Sequence, residues 1–122
     1  MGTQSESQIQ RQIVQVLSAL CNQHKFLFFS VPNEALGRGK DRTSSAIRMN
    51  LLKTMGLTPG VSDLVIVHDG LAYFVEIKKP GATQSENQKH FMRWAASVSS
   101  HYAIIRCVDD MLRALAAWKI IK

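Results

Sequence analysis

Residues 63–78 read DLVIVHDGLAYFVEIK. Two apolar, β-branched-rich runs, 63–68 and 71–78, flank Asp69-Gly70. Asp-Gly between such runs is a strong two-residue hairpin signal, because its residues accept the positive φ of a type I′ turn. With Asp69 and Gly70 as the loop, His68 pairs with Leu71, and counting back sets Asp63 opposite Glu76. Leu64 and Ile66 fall on one face and Val65 and Val67 on the other. A hairpin apolar on both faces belongs inside a sheet covered on both sides.

Working outward, Pro80-Gly81 ends the second run. Ser85 starts a helix, with Gln88 completing a possible S-x-x-Q capping box and Phe91, Trp94, Ala95 and Val98 as its inner stripe. Residues 102–108 read as another strand, and Asp109 or Asp110 caps a last helix carrying Met111, Leu112, Leu115, Trp118 and Ile121. Toward the N-terminus, Ile9, Ile13, Val16, Leu17 and Leu20 recur at helical spacing, with Ser5 or Ser7 as cap. Residues 26–31 are aromatic and β-branched, a strand closed by Pro32-Asn33. Between them and Thr58-Pro59-Gly60, Ser44 or Ser45 caps a short helix over Ile47, Met49, Leu51, Leu52 and Met55, stopped by Gly56. The order is α-β-(short α)-β-β-α-β-α. The expected fold is α/β, a mixed central sheet flanked by helices, with a right-handed crossover from strand 71–78 through the helix at Ser85 to strand 102–108. Residues 1–122 read as one domain, without repeat or linker.

Composition narrows the function classes. The chain has 122 residues, 46% of them apolar, typical of a globular protein. No apolar run reaches the length of a membrane span. Polar residues 1–12 lack the apolar region of a signal peptide, so a cytoplasmic location is expected, in a bacterium or a phage-infected host. Cys21 and Cys107 lie far apart in no C-x-x-C pair, and read as reduced core thiols rather than zinc ligands. His24, His68, His90 and His101 show no ligand spacing and read as surface or loop residues. Trp94 and Trp118 lie on apolar stripes and read as core or subunit interface. The net charge of +6 suggests a polyanionic partner. Arg38, Lys40, Arg42, Arg48 and Lys53 lie close together, against the single acid Asp41. They are either a solvated loop or, as favoured here, contacts to a DNA backbone, extended by Lys89 and Arg93.

Chemistry concentrates at one end of the hairpin. Opposed strand residues point to the same face with Cβ atoms roughly 4.5–5.5 Å apart. Lys78, two residues past Glu76, shares that face. Two carboxylates so close repel each other and need a proton, a cation or water. A hard divalent cation such as Mg²⁺ accepts such oxygen ligands. A lysine beside it can hold and polarise a water molecule, which suits hydrolysis of a phosphodiester. The competing reading makes Asp63 and Glu76 solvent-exposed strand-end charges paired with Lys78. The turn entering at Asp63 and the helix starting near the same strand end favour a site.

These motifs together resemble a known family. Gly60-Val61-Ser62-Asp63, Val75-Glu76-Ile77-Lys78 and Gln84-Ser85-Glu86-Asn87-Gln88 are similar to the PD-(D/E)xK nuclease superfamily, and more narrowly to stand-alone VRR-NUC domains of phages and bacteria. Glu6 with Gln10 resembles the family's first-helix motif, and Val31-Pro32-Asn33-Glu34 its short post-strand motif. Ser62 departs from the pattern, where proline is usual. The resemblance implies a restriction-endonuclease-like core. It implies Asp63 and Glu76 as ligands of Mg²⁺ or Mn²⁺, with the backbone carbonyl of Ile77 and, directly or through water, Glu6. Lys78 would orient the attacking water, and Gln88 would support Lys78 or a phosphate. Glu6 could instead serve the helix dipole, and Gln88 only the capping box.

The expected function is metal-dependent endonucleolytic cleavage of DNA. Stand-alone members look like Holliday-junction resolvases acting as homodimers, so branched DNA is the expected substrate. The apolar end Ala116-Ala117-Trp118-Lys119-Ile120-Ile121 is a candidate dimer face. The alternatives are a general nickase or endonuclease on duplex DNA, a non-catalytic DNA-binding module of a replication or recombination complex, and a metal-dependent nucleotide hydrolase. The broad basic stretch argues against the last.

Overall fold

The computed structural model describes residues 4–32 and 42–122, without the side chains of 42–46 and 49. The elements are α1 (Glu6–His24), β1 (Phe26–Ser30), α2 (Arg42–Thr54), β2 (Leu64–His68), β3 (Leu71–Ile77), α3 (Glu86–Ser97), β4 (His101–Ile105) and α4 (Val108–Ala117). The strands form one mixed sheet in the order β1-β2-β3-β4. The β1–β2 and β2–β3 pairs are antiparallel, and β3–β4 is parallel across the α3 connection. This is the expected α/β architecture, and its hairpin has the expected register, with Leu64 opposite Val75 and His68 opposite Leu71. Asp69 and Gly70 both take positive φ, as the two-residue turn requires.

Side-chain alternation divides the sheet into two faces. Leu64, Ile66, Tyr73, Val75, Ile77 and Ile105 meet Ile9, Ile13 and Leu17 of α1 and Met111 and Leu115 of α4 in the main core. Fully burying such side chains contributes roughly 1.5–3 kcal/mol each, which makes this face the principal source of stability. On the other face α3 lies over β3 and β4, with Phe91 edge-on to Phe74 at 5.1 Å. Leu27 and Phe29 of β1 stay exposed there among the described residues, so the second face is only partly covered.

Several local expectations need correction. Trp94 and Val98 are 53% and 63% exposed, and only Phe91 and Ala95 of the presumed stripe are buried. Trp94 still meets Phe91 edge-on, with ring centroids 6.5 Å apart. The last strand ends at Ile105, because Arg106 donates its backbone N–H to Asp110 and the helix begins at Val108. Its N-cap is Cys107, an exposed thiol rather than a core one. Ser44 and Ser45 lie inside α2, which starts at Arg42. The C-terminal residues turn inward: Ile120 is buried, and Trp118 packs against Tyr73 at 4.9 Å. Ile120 thus belongs to the chain's own core, while Ala116, Ala117 and Lys119 stay exposed. No helix among the described residues is long and apolar enough to cross a membrane.

The turn before β2 is pressed onto α3. Gly60 has φ +80°, and a Cβ there would overlap the backbone carbonyl of Asn87 and lie 2.7 Å from the Gln88 nitrogen. Gly56 also has positive φ but faces open space. Gly56→Ala is expected to cost about 1–3 kcal/mol through backbone strain alone. Gly60→Ala should cost about 1–3 kcal/mol more through the overlap. Equal losses in urea unfolding would show that the turn does not depend on this contact.

Candidate active site

Asp63 is fixed from both neighbouring strands. Its backbone carbonyl accepts from Val31 N–H at 2.9 Å, which extends the β1–β2 pairing by a step. Its Oδ2 accepts from Ile77 N–H at 2.7 Å. Ser62, where proline is usual in the resembling family, is fully buried and folds its hydroxyl back onto the Leu64 carbonyl at 3.0 Å. A side-chain hydrogen bond thus restrains the approach to β2 without a proline.

Glu76 lies opposite Asp63 and is 1% exposed. The reading of the pair as solvated strand-end charges therefore fails. Glu76 Oε1 accepts from Gln88 Nε2 at 2.9 Å. Glu76 Oε2 is buried without a hydrogen-bond donor. The Asp63 and Glu76 carboxyls are within hydrogen-bonding reach of one another, so a shared proton would satisfy Oε2, whereas two ionised carboxylates would leave it bare. Burial, then the charge of Asp63, pushes the Glu76 carboxyl up to about 9, with Lys78 opposing. Burial also raises Asp63, against the Ile77 amide, which favours its ionised form. Lys78 is 9% exposed on the Glu76 side of the sheet, and its backbone N–H is held by the Ile105 carbonyl at 3.0 Å. Among the described residues its ammonium makes no ion pair, so its charge acts on the carboxylates from a short distance rather than by contact.

Gln88 serves two structures at once. Its Oε1 accepts from Ser85 N–H at 2.8 Å while Ser85 Oγ accepts from Gln88 N–H at 3.2 Å, a full capping box. With Oε1 committed to the cap, Nε2 must face Glu76. Glu6 approaches from α1, but its Oε2 accepts from Lys79 N–H at 3.3 Å. Among the described residues no cluster of three His, Cys, Asp or Glu side chains stands ready for a metal. The donor set on hand is the two carboxylates of Asp63 and Glu76. Mg²⁺ suits such a set, because it commonly binds one or two carboxylates and keeps several waters.

Of the basic residues, Arg48 and Lys53 are exposed on α2. Arg38 and Lys40 lie outside the described residues, as does the Arg42 side chain, and so do Asn33 and Glu34. Arg93 is exposed, whereas Lys89 pairs with Glu86 at 3.5 Å. Sequence reasoning missed two ties from β4 to the segment between Lys78 and Ser85. Arg106 Nη1 donates to the carbonyls of Lys79 at 2.8 Å and Ala82 at 2.9 Å. Gln84 Nε2 donates to the Tyr102 hydroxyl at 3.0 Å. Only Gln84, inside a quoted motif, carried any signal of this.

Comparison with solved structures gives a match over nearly the whole chain. A protein titled "VRR_NUC domain protein" superposes with a TM-score of 0.71 at 15% sequence identity, covering 99% of this chain and 93% of the other. The two share a fold. No family model matches the sequence. No curated protein matches it either. The α/β fold expected from the sequence is thus met by an independent likeness of backbone, across an identity too low to have suggested it.

The raised Glu76 carboxyl has a thermodynamic consequence. Between its ordinary 4.5 and about 9 the folded chain holds a proton that the unfolded chain has released. Stability of the metal-free protein is therefore full below about pH 4.5 as far as this group is concerned, and is lost as pH rises toward 9. Melting temperature without metal should fall from pH 5 to pH 9, and Glu76→Gln should flatten that slope; a slope unchanged in the variant would place its origin elsewhere. Gln88 gives a sharper contrast. As a helix cap alone, Gln88→Glu would be well tolerated, since glutamate is favoured there. Facing Glu76, it should instead be less stable than Gln88→Ala in metal-free buffer at pH values above about 9, where both carboxyls are ionised, and the reverse order in chemical denaturation would reduce Gln88 to a cap.

Proposed function

We propose that the chain is a divalent-metal-dependent DNA endonuclease acting at Asp63, Glu76 and Lys78. The observation that carries this reading is the buried Glu76 carboxyl, with Oε2 lacking a donor and Asp63 directly opposite. Asp63, Glu76 and the Ile77 carbonyl would hold Mg²⁺ or Mn²⁺, with Glu6 reaching it through water. The bound ion supplies Lewis acidity toward the phosphodiester and its attacking water. Lys78 orients that water and offsets the charge that develops on the phosphoryl oxygens. Gln88 holds Glu76 in place through Nε2 and so fixes which carboxylate oxygen is free. Hydrolysis needs no covalent intermediate on the protein. The fold shared with a protein titled as a VRR_NUC domain supports a nuclease over a simple binding module.

Substrate and assembly extend this reading. We take branched DNA as the preferred substrate and a homodimer as the acting form, with general nicking of duplex DNA as the alternative. The exposed apolar residues Leu27 and Phe29 on β1, and Ile47 and Leu51 on α2, provide apolar surface available for a dimer in addition to the C-terminal segment. Arg48 and Lys53, exposed on the same helix, support a DNA backbone contact there.

Cleavage of labelled four-way junction, flap, linear duplex and single-stranded DNA, with Mg²⁺, Mn²⁺ or EDTA, tests the reading. Paired junction nicks are expected with metal, lost in EDTA, and reduced on the order of 10²-fold or more in Glu76→Ala. Equal cutting of all substrates would retain the nuclease and remove the junction preference. A readout independent of catalysis is thermal melting at pH 8: Mn²⁺ should raise it in the wild type and not in Glu76→Ala. DNA binding without cleavage or metal-dependent melting would leave a non-catalytic binding module.

A further inference from the structure

Tyr102 is a half-buried phenol that neither the motifs nor the proposed chemistry has used. On β4 it stands beside Phe74, two residues before the Ile104–Glu76 pair in the parallel register. Alternation therefore sends its side chain to the face that carries Glu76. Its ring packs 6.2 Å from that of Phe91 on α3, which leaves its hydroxyl near the start of that helix. There Gln84, the residue before the Ser85 cap, donates Nε2 to the hydroxyl oxygen at 3.0 Å. The same amide also approaches Met92 Sδ at 3.7 Å, so it is anchored at two points.

A phenol hydroxyl has one proton to give. Since the Gln84 amide supplies the proton in the bond between them, the Tyr102 proton is left without an acceptor among the described residues. Burial, then the negative charge of Glu76, holds that proton on the oxygen well above its ordinary range, with Asp63 adding to the effect. Tyr102 is thus a fixed donor, aimed by Gln84, within the electrostatic reach of both carboxylates. A donor left idle in a partly desolvated place is unfavourable unless something binds there. A phosphodiester brought to the carboxylate pair carries anionic oxygens of the kind that would accept it.

We propose that the Tyr102 hydroxyl donates a hydrogen bond to an anionic oxygen of the phosphodiester bound at the Asp63–Glu76 site, a contact that rests on the nuclease reading above. Tyr102→Phe removes the donor and keeps the ring against Phe91. With the DNA that the wild type cuts, kcat/KM should fall about 10- to 100-fold, the size expected for a hydrogen bond to a charged group. Melting temperature should match that of Gln84→Ala, which loses the same Gln84–Tyr102 bond, and Mn²⁺ binding by calorimetry should match the wild type. Gln84→Ala, which only frees the phenol to turn, should lose activity in the same direction by less. Undiminished kcat/KM in Tyr102→Phe beside an active wild type overturns the contact and leaves the nuclease standing. Loss of activity together with a melting temperature well below that of Gln84→Ala, or with lost Mn²⁺ binding, also overturns it, since the hydroxyl would then serve the fold or the metal's waters. A wild type that cuts none of the substrates removes the nuclease reading, and this contact with it.

Discussion

Two carboxyl groups face each other across a tight hairpin, one of them entirely withdrawn from solvent, and much of the surrounding structure can be understood as what it takes to keep them there. Removing a carboxylate from water is opposed by desolvation, and placing a second beside it adds repulsion. The protein meets this with single, directed donors rather than a full hydrogen-bond shell. Ile77 N–H serves Asp63, and Gln88 Nε2 serves Glu76. One oxygen remains over, Glu76 Oε2, without a donor among the described residues, and it is this unmet acceptor that a cation would satisfy under the proposed function.

That economy binds distant parts of the chain to the hairpin. Gln88 can reach Glu76 only because α3 starts where it does, and α3 starts there because of the capping box to Ser85. Gly60, just before Asp63, allows the turn and the first turn of α3 to touch backbone to backbone. Arg106 and Tyr102 tie the intervening segment to β4. The two halves of the site, on β3 and α3, are therefore positioned by the same contacts that close the β3–α3–β4 crossover.

The hairpin was readable from sequence because its register is local: a two-residue loop leaves no freedom in which residues face each other. The capping box at Ser85 was readable for the same reason, spanning three residues, whereas at α1 Ser5 was one of two candidate caps and its box with Gln8 was not read. What escaped was non-local. Periodicity placed Trp94 and Val98 on an inner stripe, but how far the sheet extends beneath α3 depends on strands brought in from elsewhere. Nothing near Arg106 in sequence says that its guanidinium will bracket carbonyls at Lys79 and Ala82. The bond from the Lys79 amide to Glu6 Oε2 escaped as well, because it is set by the docking of α1 against the sheet.

The dual use of Gln88 explains why this position is occupied by an amide rather than an acid. A capping box needs only an acceptor at this position, and glutamate would provide it while favouring the helix dipole. The neighbouring carboxylate needs a donor, which glutamate lacks when ionised. Glutamine alone among the usual capping residues offers both ends at once, and its orientation is then dictated by the cap rather than by the site. The helix start thereby becomes a reference point for the carboxylate: a change that frays the first turn of α3 releases Glu76 as well. Stability of a surface helix end and geometry of a buried acid are, in this fold, one constraint read from two sides.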